Sequence, residues 1–237
     1  MAMFVNKKNL VQQIKDQAWQ TAEERTEMLT RMAETKLRSA DVAPLIMSRD
    51  QDVRRLAIKT FLEKPDVAGV KALLRILENA NNQIRESGGQ ILSRVGMEQL
   101  MPPFEAYFND RSPGRQRKGW EMVLTLRGSV GAILLERAVL EATVSLRPSA
   151  LQRLLQERSP DQVQVFLADI ARSKDMRLSS TALEALTHVR NISGELMALM
   201  IECLTGHDGA KRQLASSYLQ KIAKADPKNM REKMFEL

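Results

Sequence analysis

Few side chains in this 237-residue chain can do covalent or metal chemistry. Its two histidines, His188 and His207, lie far apart, and Cys203 is its lone cysteine. Cys203 and His207 are i, i+4, which would put both on one helix face at a spacing that two metal ligands can use. Glu202 and Asp208 stand beside them, but no further Cys or His completes a convincing set. A free cysteine inside the apolar run ELMALMIECL is expected as a small core side chain, and His207 as a helix-end residue. No Gly-rich phosphate loop, nucleophile elbow or zinc-type spacing occurs. TAEE, Thr21 to Glu24, reads as a capping box, a helix start and not a site. We therefore expect no catalytic residue, no metal, no cofactor and no enzyme.

Recognition chemistry is better represented. The chain carries a net charge of +7, and Lys and Arg outnumber Asp and Glu by nine to four between Arg111 and Pro160. The excess begins with RSPGRQRKGW, where Arg115, Arg117 and Lys118 precede Trp120, one of two tryptophans in the chain. Basic clusters attract nucleic acid, acidic lipid or acidic protein surfaces. A tryptophan flanked by arginine has the composition of an interface hot spot. What these residues can do depends on the elements that hold them.

Those elements repeat. The stretch DQDVRRLAIKTFLEK has a polar turn, an apolar–basic pair, a small residue three positions on, then large apolar residues. The pattern returns as QIRESGGQIL, PGRQRKGWEMV, SLRPSALQRLL, DMRLSSTALEAL and GAKRQLASSYL. Anchored on Arg54, Arg85, Arg115, Arg147, Arg177 and Lys211, the intervals are 31, 30, 32, 30 and 34 residues, with Arg25 as a looser first copy. A second apolar segment precedes each anchor, several with i, i+3, i+4 spacing. Each repeat thus reads as a first helix, a tight polar turn, a second helix and a short return loop. No segment alternates with period two, so no strand is expected. The small residues Ala57, Gly88, Gly119, Ala150 and Ser180 would let the first helix approach closely. Phe61, Leu62, Met122, Val123, Leu154, Leu155, Tyr218 and Leu219 would fill the space between repeats.

Helix phase then orients the charged side chains. If positions four, seven, eight and eleven after the anchor point inward, positions one, two, five and nine point outward. Arg55, Lys59 and Arg94 fall on that outward face, and so does Trp120. Together with Arg115, Arg117 and Lys118 they form the expected partner-binding set on the row of second helices.

The segment APLIMSRDQDVRRLAIKTFL carries a family likeness: Pro44 and Leu45 in the first helix, Asp50 in the turn, then Val53, Arg54 and Ala57. It resembles the HEAT-repeat family, especially the short HEAT-like repeats of phycobilin lyases. The resemblance implies an all-α fold, an α-solenoid of about seven helical hairpins whose second helices line the binding face. Residues 1–40 read as a degenerate N-terminal cap, 41–225 as repeats continuous with it, and 226–237 as a tail at the edge of a longer chain.

Three functions are compatible. A non-catalytic scaffold or adaptor holding an acidic protein partner fits the scarcity of catalytic groups. A nucleic-acid-binding solenoid resembling the alkylpurine DNA glycosylases would use the basic cluster and Trp120. A bilin lyase subunit would rest on the shared repeat alone, and fold analogy is weak evidence for activity. Apolar runs fall far short of the ~18 residues of a membrane span. A lone cysteine suits a reducing compartment, so a cytoplasmic location is expected.

Overall fold

A computed structural model describes residues 7–189, 193–228 and 231. The tail assigned to 226–237 therefore lies largely outside the described residues. Every described regular element is helical, as the repeat pattern requires. The chain divides into two compact units, Met1–Gly131 and Ala132–Leu237.

Unit 1 holds four hairpins. They pair α1 (Lys7–Lys15) with α2 (Ala22–Glu34), and α3 (Ser39–Val42), extended by a 3-10 turn at Ala43–Leu45, with α4 (Gln51–Glu63). Next come α5 (Val67–Leu77) with α6 (Asn82–Leu92), and α7 (Met97–Phe108) with α8 (Pro113–Val123). First helices stack on one another, α1 on α3, α3 on α5 and α5 on α7, while second helices form the other layer. Helix α9 (Gly128–Glu141) crosses into unit 2, which continues with α10 (Arg147–Glu157) and a 3-10 turn at Pro160–Gln162. It is completed by α11 (Gln164–Ala171), α12 (Met176–Leu186), α13 (Gly194–Thr205) and α14 (Gly209–Ala225). There α11 packs on α13, and α10, α12 and α14 pack in succession.

Short polar residues start these helices by satisfying backbone N–H groups that lack an intrahelical acceptor. The side chains of Thr21, Asp50, Asp66, Asn81, Asp175, Ser193 and Asp208 all accept such bonds. The apolar stripes that follow close the core. Phe61, Leu73, Leu74, Leu77 and Phe104 are fully buried between the layers of unit 1.

The repeat register differs from the expected one at three anchors. Buried small residues mark equivalent places: Ala57, Gly88, Gly119, Ala150, Ala182 and Ala215. Counting back three from each gives Arg54, Arg85, Gln116, Arg147, Ser179 and Arg212, at intervals of 31, 31, 31, 32 and 33 residues. Gln116, Ser179 and Arg212, and not Arg115, Arg177 and Lys211, hold the repeated position. The correction has a chemical basis. Arg54 Nη1 donates to the Ser48 carbonyl at 2.9 Å, and Gln116 Nε2 to the Asp110 carbonyl at 2.8 Å. Arg147 Nε donates to Ala142 O at 2.8 Å, Ser179 Oγ to Ala171 O at 2.6 Å, and Arg212 Nη1 to Gly206 O at 3.2 Å. The anchor side chain satisfies a carbonyl in or just after the last turn of the preceding helix, where intrahelical donors run out. A guanidinium, an amide and a hydroxyl can each do this, so donor capacity is what recurs and positive charge is not. Arg85 departs, donating to Asn82 Oδ1 at 2.6 Å and Glu121 Oε2 at 3.3 Å. Ser180 is likewise displaced: it is exposed, and its neighbour Ser179 is buried.

Candidate functional site

The corrected register moves Trp120 from the outward fifth position to the inward fourth. It is 4% exposed, with its ring stacked on Phe108 at 3.7 Å and 7°. Phe104 extends the aromatic cluster, its centroid 5.7 Å from that of Phe108. Trp120 is core, and the expectation of an exposed aromatic platform is overturned. Glu121 takes the outward place. The signal was in the sequence: Gly119 came one residue late for a register set by charge.

The cations around Trp120 are compensated at short range. Arg115 Nη1 lies 2.8 Å from Asp110 Oδ2, and its guanidinium sits over the Tyr107 ring at 5.1 Å. Lys118 Nζ donates to Asn79 Oδ1 at 3.0 Å and lies 3.6 Å from Glu78 Oε1. Glu78 also accepts from the Tyr107 hydroxyl at 3.1 Å, and burial pushes that phenol above its ordinary range. Arg117 Nε donates to Glu121 Oε1 at 2.9 Å. Three carboxylates thus answer the three expected cations. The close approach of α8 to α7 at Gly119, where a Cβ would stand 2.6 Å from Tyr107 Cβ, helps bring these groups together.

Arg55, Lys59 and Arg94 differ. All three are exposed, and none has an ion-pair partner among the described residues. Arg94 lines an opening of about 570 Å³ between the second helices α4 and α6, and Arg55 and Lys59 lie outside its lining. Met47, Ile58, Ile84 and Ile91 line its apolar part. Gln83, Ser87 and Gln90 supply neutral polar groups, Arg54 and Arg94 supply charge, and no carboxylate lines it. Arg55 and Lys59 stand one position round α4 from the lining residues Arg54 and Ile58.

Packing differs on the two sides of the opening. Helix α6 carries Gly88 and Gly89, and these let it close on its own hairpin partner and on the next repeat. A Cβ on Gly88 would stand 2.4 Å from Leu77 Cδ2, and one on Gly89 would stand 2.2 Å from Thr125 Oγ1. Contact of α6 with α8 is preserved, while contact with α4 is sparse. On its other side α4 is held to α2 by Arg25, whose Nε donates to Asp50 Oδ2 at 2.7 Å and whose Nη2 also bonds Asp52. The Arg25 bond, with further N–H bonds from Val53 and Asp52, holds the Asp50 carboxyl down to about 2.

The sulfur and imidazole groups do not converge. Cys203 is buried in α13, where desolvation raises its thiol pKa, and His207 is exposed just beyond that helix. Among the described residues no three His, Cys, Asp or Glu side chains are grouped as a metal site would need. No helix among them is long and apolar enough to cross a membrane.

No protein-family model matches the chain. No curated protein matches it either. Two engineered proteins solved by the Northeast Structural Genomics Consortium are similar in structure. One has a TM-score of 0.36 at 15% identity, covering 96% of this chain and 71% of its own. The second has a TM-score of 0.26 at 14% identity, covering 96% of this chain and 97% of its own. Likeness at these scores carries no argument about the function.

Proposed function

We propose that the chain is a non-catalytic helical-repeat scaffold that holds an acidic segment of a protein partner on the second-helix face of unit 1. The opening between α4 and α6 is the observation that carries this reading. It combines apolar side chains that a partner could bury with cations that pair with no carboxylate among the described residues. Burial at the centre supplies affinity, and rim charges supply steering and register. Duplex DNA is the poorer occupant. Phosphate binding depends on many uncompensated cations, and Arg115, Arg117 and Lys118 already have carboxylate partners. A cytoplasmic setting is part of the proposal, since the lone cysteine needs no oxidising compartment.

The test is capture from nuclease-treated extract with the whole chain and with an Arg55→Glu, Lys59→Glu, Arg94→Glu variant. Protein capture that survives nuclease and is lost in the charge-reversed variant supports the reading. Capture that disappears with nuclease, or duplex DNA binding that persists at near-physiological salt, moves the choice to a nucleic acid.

A further inference from the structure

From the α4–α6 opening we infer that the bound segment is an amphipathic helix with carboxylates flanking its apolar stripe. This rests on the scaffold reading above and narrows it to one conformation and one place. The walls of the opening are helices, whose central backbone N–H and C=O groups are already bonded within the helix. They offer no ladder to an extended strand, which would bring its own backbone polar groups into a mostly apolar groove. A helix arrives with those groups satisfied. It also adds to a second-helix layer in which contact is sparser between α4 and α6 than between α6 and α8.

The lining sets what the helix must present. Ile84 and Ile91 lie seven residues apart on α6, about two turns or ~10 Å along its axis. Ile58 and Met47 line the opening from the α4 side. A ligand helix with apolar residues at i, i+3, i+4 and i+7 covers that length with one stripe. Its flanks face Arg54 and Arg94, with Arg55 and Lys59 just beyond on α4. Gln83 and Gln90 can donate to carboxylates without imposing a charge of their own. Basic ligands meet only like charge there, so sign and amphipathicity are both specified.

The probe is a synthetic peptide of about three to four turns, with leucines at that spacing and glutamates on both flanks. Its controls are a peptide of identical composition with the leucines scattered, and a lysine-for-glutamate version. Each is titrated into the full chain labelled at isoleucine methyls. The helical acidic peptide is expected to shift Ile58, Ile84 and Ile91, leave Ile133 and Ile201 of unit 2 unmoved, and bind at least about tenfold tighter than either control. Gln83→Glu with Gln90→Glu places carboxylates in the opening at exposed positions that leave the core untouched, and should weaken binding by a similar factor. Absence of shifts at these three methyls with the helical peptide, or equal binding of the scattered peptide there, overturns the inference. In the latter case the scaffold reading survives, because an acidic segment still docks at α4 and α6. Capture unaffected by the Arg55, Lys59 and Arg94 reversal, with no acidic peptide moving a groove methyl, removes the scaffold reading as well.

Discussion

The α4–α6 opening and the α7–α8 basic cluster both lie in unit 1, and both look positive when charge is counted along the chain. In the fold they part. Around Trp120 each expected cation meets a carboxylate, and Glu78 comes from nearly forty residues upstream to serve both Arg115 and Lys118. Around α4 and α6, Arg54, Arg55, Lys59 and Arg94 have no ion-pair partner among the described residues, and no carboxylate lines the opening. A charge count over a sequence window measures supply. The available field is what remains after tertiary pairing, so the weaker window makes the better site.

Trp120→Ala empties a stacked, buried site and should cost about 3–5 kcal/mol in urea titrations, with Phe61→Ala in the same range. If Trp120 were a surface platform, its truncation would instead cost binding and leave stability almost unchanged. The next largest effect concerns the origin of the opening. Gly89→Ala places a methyl group against Thr125 and should destabilise by about 1–3 kcal/mol through overpacking. If α6 relieves the clash by moving toward α4, binding in the groove falls as well, which would tie the opening to the glycine pair. Truncating Arg54 to Met removes the bond to the Ser48 carbonyl and should cost about 1 kcal/mol.

A pH series sharpens the electrostatic side. The Asp50 carboxyl is held below its unfolded value, down to about 2, chiefly by Arg25. Its contribution to stability is therefore complete above about pH 4 and is lost as pH falls through 2. Asp50→Asn should flatten the acid limb of stability against pH measured by urea titration between neutrality and pH 2. An unchanged slope would mean that the pair adds nothing. The smallest effect is expected at exposed positions of the groove. Gln90→Ala and Arg94→Glu should each stay within about 0.5 kcal/mol of the parent in stability. Arg94→Glu should nevertheless weaken an acidic ligand, whereas Arg117→Glu, already beside Glu121, should alter ligand binding far less.

Helices, hairpins and their approximate boundaries were legible, because apolar period, polar turns and capping residues are local signals. A register anchored on the basic residue is off by one at Gln116 and turns Trp120 outward, about 100° of helix. The small residue would have been the safer marker. Close packing against the partner helix tolerates nothing larger there, as Gly88 against Leu77 shows, while the anchor needs only some hydrogen-bond donor. Arg55, Lys59 and Arg94 were legible as exposed cations because their register was right. The apolar lining beside them was not, since Ile58 falls on an inward position of that phase and Ile84 and Ile91 fall on neither its inward nor its outward positions.

The sequence by itself determined an all-helical chain of repeated hairpins. That information is carried by neighbours three, four and seven residues apart, whose interactions do not depend on the rest of the molecule. Only the tertiary structure decided which charges remain free and where the second-helix layer opens. Ion pairing joined residues dozens of positions apart, and the opening lies between an α6 whose glycine pair closes on Leu77 and Thr125 and an α4 held to α2. Both outcomes depend on distances of a few ångströms between separate elements, and no local pattern encodes those.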